Sequence, residues 1–189
     1  MADQLNIKVI CGSFRKGSFN AALARALPAL APAGLSLSPA PRIDKFPLYN
    51  FDIQQAAFPS EVTAWTDELR AADGVIIVSP EYNWSIPAGL KNAIDWSSRL
   101  KDDPFKGKPV AIQSCAGGIL GGARMQYHLR QTLTSVESVI FIRPEVFVTL
   151  AAKKFDEKTL ELTDQPTKDM VKLQLDGFEK FVRQHARKN

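Results

Sequence analysis

The sequence predicts one α/β domain, a parallel sheet covered on both faces by helices, and two observations carry that expectation. Short apolar runs rich in Val and Ile alternate along the chain with longer stretches of helical periodicity. The joints between run and helix hold most of the clustered glycine, serine and proline. With 189 residues, 45% of them hydrophobic, the chain can bury a core as a single domain spanning 1–189.

The elements follow in order. Leu5 to Cys11 (LNIKVIC) reads as a strand, and a helix from Ser18 to Leu30 follows a glycine- and serine-containing turn. Leu35 to Ala40 is the second strand and Pro59 to Ala72 the next helix. The run GVIIVS, Gly74 to Ser79, is apolar almost throughout and predicts a strand buried on both faces. Pro87 opens a helix to Ser98, where its missing N–H is tolerated. Strand Val110 to Ser114, helix Gly122 to Val136 and strand Val139 to Ile142 come next. A terminal amphipathic helix runs from about Gln165 to Gln184, with Met170, Leu173, Phe178 and Phe181 as its apolar positions. Five strands joined by helices imply right-handed crossovers and a doubly wound sheet. The long connection Pro41 to Phe58 carries Phe46, Tyr49, Phe51 and Phe58 in too irregular a pattern for a strand. It predicts a packed loop, either functional or merely tucked against its own domain.

Composition excludes several classes. Cys11 and Cys115 lack the close spacing of zinc ligands or redox pairs, so neither metal nor disulfide is expected. No apolar run reaches membrane-spanning length, and Met1 to Lys8 lacks the pattern of a signal peptide, which predicts a cytoplasmic protein. The net charge of +4 is spread among interspersed acids, so nucleic acid is not an expected partner.

In such a sheet a ligand binds beyond the carboxyl ends of the strands, where strand order reverses. Three segments fall there. The first, Gly12 to Asn20 (GSFRKGSFN), enters a helix N-terminus, where free amides, hydroxyls and Arg15 suit a mononucleotide phosphate. It lacks the lysine placement of a triphosphate loop and the spaced glycines of a dinucleotide fingerprint, and its serines can also be read as helix caps. The second, Ser79 to Pro87 (SPEYNWSIP), is a loop stiffened by two prolines, with Tyr82 and Trp84 placed to border a flat ring or to pack as core. The third, Ser114 to Gly122 (SCAGGILGG), has four glycines that permit close backbone approach or simple flexibility. Strand order separates Cys11 from Cys115 by one strand, about 10 Å, too far for a disulfide.

GSFRKGSFN resembles the loop GSxRxxSxN of the NADPH-dependent FMN reductase family, and SPEYNWSIPAGLKNAIDWSSR is similar to that family's PEYNxSxPxxLKNAIDW signature. GGARMQYHLRQ and, more weakly, PLYNFD are similar too, and the likeness is strongest to the chromate and quinone reductase branch. The resemblance implies a flavodoxin-like sheet of order 2-1-3-4-5, bound FMN, and NADPH or NADH as co-substrate. It implies a ping-pong reduction of quinones or of chromate, azo compounds or flavins, with no catalytic side chain beyond the flavin. Ser13, Arg15, Ser18 and Asn20 would hold the FMN phosphate, with Phe14 among the cofactor-binding residues. Pro80, Glu81, Tyr82 and Asn83 would border the isoalloxazine, and Ser114, Ala116 and Gly117 its other side. Cys115 and Ala116 depart from the hydroxylated pattern of relatives, which leaves main-chain contacts there. The family's multimeric habit implies a homodimer or homotetramer, with Arg124 and Tyr127 on one helix face and Glu145, following the fifth strand, able to meet them. His128 and His185 are expected on helices away from all three loops. The rival expectation is a flavodoxin-type carrier or regulatory flavoprotein without nicotinamide turnover, but such carriers usually show an acidic surface that this basic chain lacks.

Overall fold

The computed structural model describes residues 3–185. Five strands, β1 (Leu5–Cys11), β2 (Leu35–Pro39), β3 (Gly74–Val78), β4 (Pro109–Cys115) and β5 (Val139–Val148), form one parallel sheet of order β2-β1-β3-β4-β5. The expected flavodoxin-like architecture is therefore borne out. The helices are α1 (Phe19–Leu30), α2 (Phe51–Ala56), α3 (Ser60–Arg70), α4 (Ala88–Ser97), α5 (Ala123–Ser135) and α6 (Gln165–His185). No helix among the described residues is long and apolar enough to cross a membrane.

Two cores result, one on each face. Ile7, Val9, Ile76 and Val78 point toward α1 and α6, where Leu23, Leu27, Leu175 and Phe178 meet them. Ile10, Val75, Ile77 and Val110 point the other way, toward Trp65, Leu90, Trp96 and Leu129 of α3, α4 and α5. Every residue of β3 and β4 is buried, which is why they read as continuous apolar runs. On α6 the buried face is Val171, Leu175, Phe178 and Val182, spaced as one helical stripe. Met170 and Leu173, expected on that face, are exposed, because Met170 lies more than a quarter-turn from the stripe and Leu173 nearly opposite it.

The fifth strand departs most from the sequence reading. It does not end at Ile142 but continues to Val148 through a bulge. Ala111 pairs with Phe141 and Gln113 with Val146, so five residues of β5 advance while β4 advances two. The bulge carries Pro144, which cannot donate to a ladder, and that interruption makes the apolar run look finished. Buried glutamines collect the carbonyls it loosens. Gln174 Nε2 donates to Pro144 O at 2.8 Å, and Gln126 Nε2 donates to Val146 O at 2.9 Å.

Glu145 thus lies within β5, and it does not meet Arg124. Its carboxylate pairs with Arg130 Nη1 at 2.7 Å, while the Arg130 guanidinium lies 5.1 Å from the Tyr127 ring centre. Position along α5 explains the change: Arg130 lies six residues past Arg124, on another face of the helix, and it is this face that Glu145 meets. Both side chains are largely covered, so Glu145→Ala should lower stability by roughly 1–2 kcal/mol, between an exposed and a fully buried pair. Urea unfolding of this variant beside Arg124→Ala, which should change little, checks the assignment.

Candidate functional site

Three loops leave the carboxyl edge of β1, β3 and β4 and close around one crevice. The first begins at Gly12, whose N–H donates to Val78 O at 2.9 Å and extends the β1–β3 ladder past the strand. A Cβ on Gly12 would fall 2.5 Å from Ser79 Oγ, so only glycine fits this approach. The chain then turns outward, with Gly17 at φ +67°, and enters α1 through Ser18, whose Oγ accepts from Ala21 N–H. Among the described residues, none of the main-chain N–H groups from Phe14 to Asn20 finds an acceptor. A row of free donors at the N-terminus of a 12-residue helix has the chemistry to receive an anion. Arg15 stands exposed beside it and forms no ion pair among the described residues, and Ser13 is nearly buried next to it. Phe14 lies with its ring over Gly89 at the start of α4, where a Cβ would strike it at 2.4 Å.

Asn20 takes a different part from the one its type suggests. Its Nδ2 donates to Cys115 O at 2.8 Å and its Oδ1 accepts from Cys115 N–H at 2.9 Å. The reason lies in the sheet: β3 stops at Val78, leaving the β3-facing edge of Cys115 without a strand neighbour, and the buried amide of Asn20 takes that place. One side-chain N–H of Asn20 remains beyond this pair.

The second loop folds at its tip into a two-residue hairpin. Tyr82 N–H donates to Ser85 O and Ser85 N–H to Tyr82 O, at 3.1 and 2.9 Å. Asn83 and Trp84 both have positive φ, 48° and 66°, as a type I′ turn requires. The Trp84 ring, 65% exposed, lies 4.3 Å from the Arg124 guanidinium, and Tyr82 is half-exposed. Pro80 is buried. Glu81, expected against a ring, turns its carboxylate to the helix that follows the third loop. Oε2 accepts from Met125 N–H at 3.1 Å, and Oε1 lies 3.6 Å from Arg124. A carboxylate there satisfies a free donor in the first turn of α5 and meets the positive end of its dipole. His128 also departs from expectation, since its Nδ1 lies 3.1 Å from Ser85 Oγ on this second loop.

In the third loop the Ser114 hydroxyl turns inward, donating to Gly121 O at 2.6 Å and accepting from Gln126 Nε2 at 2.8 Å. Ala116 is likewise engaged on both sides, donating to Val148 O and accepting from Ala151 N–H. Gly117 and Gly118 are the exposed turn of the loop, and a Cβ on either would meet nothing within 4 Å. Their φ values are not positive, so neither the local fold nor crowding by protein demands glycine there. Bare backbone facing open space between a row of anion donors and an aromatic hairpin fits a flat ring carrying a phosphate tail.

Ser13, Phe14, Arg15, Ser18, Tyr82, Asn83 and Gly117 lie on three loops that leave neighbouring strands, while Asn20, Glu81, Ser114 and Ala116 hold those loops to one another and to the sheet. The 41–58 connection is anchored to α4: Asn92 Oδ1 accepts from Tyr49 N–H, and Asn92 Nδ2 and Trp96 Nε1 both donate to Pro47 O. In the sequence the available signal for this anchor is Asn92, a polar residue beside the apolar Leu90, Ala93, Ile94 and Trp96 of LKNAIDW. The connection also holds α2, capped by Asn50 and with no buried residue, which an amphipathic pattern could not reveal.

Both cysteines are free thiols. Burial pushes Cys115 up from 9.0 to about 12, against a small opposing pull from Lys154. The raised value contributes stability that is complete below pH 9.0 and lost as pH climbs toward about 12.

Comparison with known proteins follows the geometry. The model of the family described as NADPH-dependent FMN reductase matches residues 5–153. A quinone reductase of Escherichia coli strain K12 is 48% identical over 183 residues, covering 96% of this chain and 97% of the relative. An NAD(P)H-dependent FMN reductase of Pseudomonas aeruginosa is 40% identical, covering 97% and 98%. Among solved structures, FerB, a flavoenzyme NAD(P)H:(acceptor) oxidoreductase from Paracoccus denitrificans, superposes with a TM-score of 0.86 at 32% identity, covering 96% and 98%.

Two outcomes follow from the geometry. Asn20→Ala leaves the Cys115 main chain unpaired and should cost roughly 1–3 kcal/mol, read by thermal unfolding. Unfolding measured across alkaline pH should show a loss of stability above pH 9.0 that Cys115→Ala reduces and that Cys11, also raised by burial, keeps from vanishing.

Proposed function

The chain belongs to the NADPH-dependent FMN reductase family and is an oxidoreductase working with FMN and NAD(P)H; we propose that it reduces quinones, and with them other small acceptors, by a ping-pong cycle. The row of free N–H groups from Phe14 to Asn20 carries this reading, because these donors find no acceptor among the described residues and a phosphate would supply one. Bound FMN supplies the ring that takes and gives hydride and electrons.

The chain's own residues bind, orient and shelter. Arg15 and the loop amides hold the phosphate, and the Ser18 hydroxyl can donate outward while its oxygen caps the helix. Gly117 and Gly118 admit the ring edge to within main-chain contact. The hairpin from Tyr82 to Ser85 forms the opposite rim, with Tyr82 and Trp84 giving an apolar border that suits a planar acceptor. One open face serves both substrates in turn, so the nicotinamide leaves before the acceptor enters. Quinones lead the acceptors because a quinone is flat, apolar and small enough for this rim, in keeping with the Escherichia coli relative's name. Chromate, azo compounds and flavins are further acceptors of the same face, and the excess of cationic residues would favour the anionic ones. A carrier function without nicotinamide turnover is disfavoured by the family and by the net charge of +4.

Assembly into a dimer or tetramer belongs to the same reading, through the face of α5 that carries Arg124 and Tyr127 with the Glu145–Arg130 pair behind it. Tyr127 is 53% exposed and lies against Arg130, an aromatic and arginine surface of the kind found at interface centres. Light scattering of Glu145→Ala should then show smaller species.

The purified protein should be yellow or turn yellow with one equivalent of added FMN, and NADPH under anaerobic conditions should bleach it. A protein that binds no FMN overturns the reading. Arg15→Ala should weaken FMN binding by about 1.5–3 kcal/mol, the worth of hydrogen bonds to a charged group. Calorimetry of FMN binding to the apoprotein measures it.

A further inference from the structure

Beside the phosphate loop, on the side away from the ring crevice, lies a second cavity of about 480 Å³. It opens at the carboxyl ends of β1 and β2, between α1 and the start of the 41–58 connection. Ala21, Ala24 and Pro28 of α1 form one apolar wall and Ile43 the other, and Arg25 and Arg42 stand among the lining residues. Its size is that of a pocket for one ring system with a substituent. It shares Ser13 and Phe14 with the phosphate loop, and the quinone and FMN reading leaves the rest of its lining unused.

We infer that this cavity receives the 2′-phosphoadenosine end of NADPH, the base between Ala24, Pro28 and Ile43 and the 2′-phosphate against Arg42 and Arg25. The inference rests on the reading of the chain as a nicotinamide-dependent flavoenzyme. In doubly wound sheets that bind dinucleotides through a glycine fingerprint, an arginine near the end of the second strand accepts the ribose 2′-phosphate. This chain has no such fingerprint and its first loop serves another phosphate, so only the place of the arginine beside the second strand carries over. Here Arg42 stands three residues past β2. Asp44 does not cancel it as a ligand: the carboxylate takes Arg42 Nε and Nη2, at 2.9 and 2.8 Å, which fixes the guanidinium and leaves Nη1 to donate. Arg25 is exposed and pairs with no carboxylate among the described residues. The field of both reaches into the cavity. Burial raises the pKa of the Cys11 thiol on its wall; a main-chain hydrogen bond at Ser13, then Arg42 and Arg25, oppose that rise. Strand spacing sets the reach. The cavity over β1 and β2 lies two to three strands, roughly 10–14 Å, from the crevice over β3 and β4, and the phosphate loop lies between them.

The test uses flavin-loaded protein and steady-state kinetics with NADPH and NADH. Arg42→Ala and Arg25→Ala should each raise the KM for NADPH about tenfold, the effect of losing a charge-assisted hydrogen bond. The KM for NADH and both kcat values should stay within about twofold, since NADH offers no 2′ charge to lose. By calorimetry, 2′-AMP should bind the holoenzyme and 5′-AMP more weakly, and Arg42→Ala should remove the difference. A variant that keeps its flavin yet treats both cofactors alike, or 2′-AMP binding that ignores Arg42, overturns the inference and leaves the FMN reading standing. A protein without flavin would sink both.

Discussion

The site depends on a side chain that completes a sheet. Where β3 ends, Cys115 would face the crevice with an unpaired N–H and C=O, and the amide of Asn20 closes both, as a neighbouring strand would. Buried as it is, this pair is stronger than its counterpart in water and costly to break. It fixes the first turn of α1 to the end of β4 and so sets the distance between phosphate loop and glycine-rich loop. Gly12 against Ser79 joins the first loop to the second, and Glu81 at the start of α5 joins the second to the third. A ligand entering the crevice therefore meets walls already in place, and little ordering cost falls on binding.

Much of this was legible in the sequence, and the exceptions share a cause. Apolar runs such as GVIIVS and the stripe of helical periodicity fix strands and helices because burial is read through side-chain chemistry. The joints between them announced the site because glycine, serine and proline there have few structural alternatives. Direction was not legible. Asn20, Glu81 and Ser114 sit where residues of their type would serve a ligand, yet each turns to a main-chain group, at Cys115, Met125 and Gly121. Such partners are fixed by topology, and residue type alone cannot rank them. Likewise β5 looked short because Pro144 broke its pattern, while the compensating Gln174 lies 30 residues further on. Glu145 was assigned the wrong arginine for the same reason: Arg124 and Arg130 are equivalent in composition and differ only in which face of α5 they occupy.

The hairpin tip has a consequence of another kind. Type I′ turns favour Asn-Gly, and this one has Asn83 followed by Trp84, a bulky residue in a left-handed conformation that L side chains resist. Such a residue stores on the order of 1–3 kcal/mol, retained only where its surroundings insist on it. Here the two hairpin bonds and the Arg124 guanidinium hold it. Position 84 is thus an adjustable stop for heritable change: glycine there would relax the backbone and strip the rim of its largest surface, while any smaller aromatic would trade some of each. The range of molecules admitted to the crevice can drift through this residue alone, with the phosphate loop, the sheet and the cross-ties among the loops left as they are.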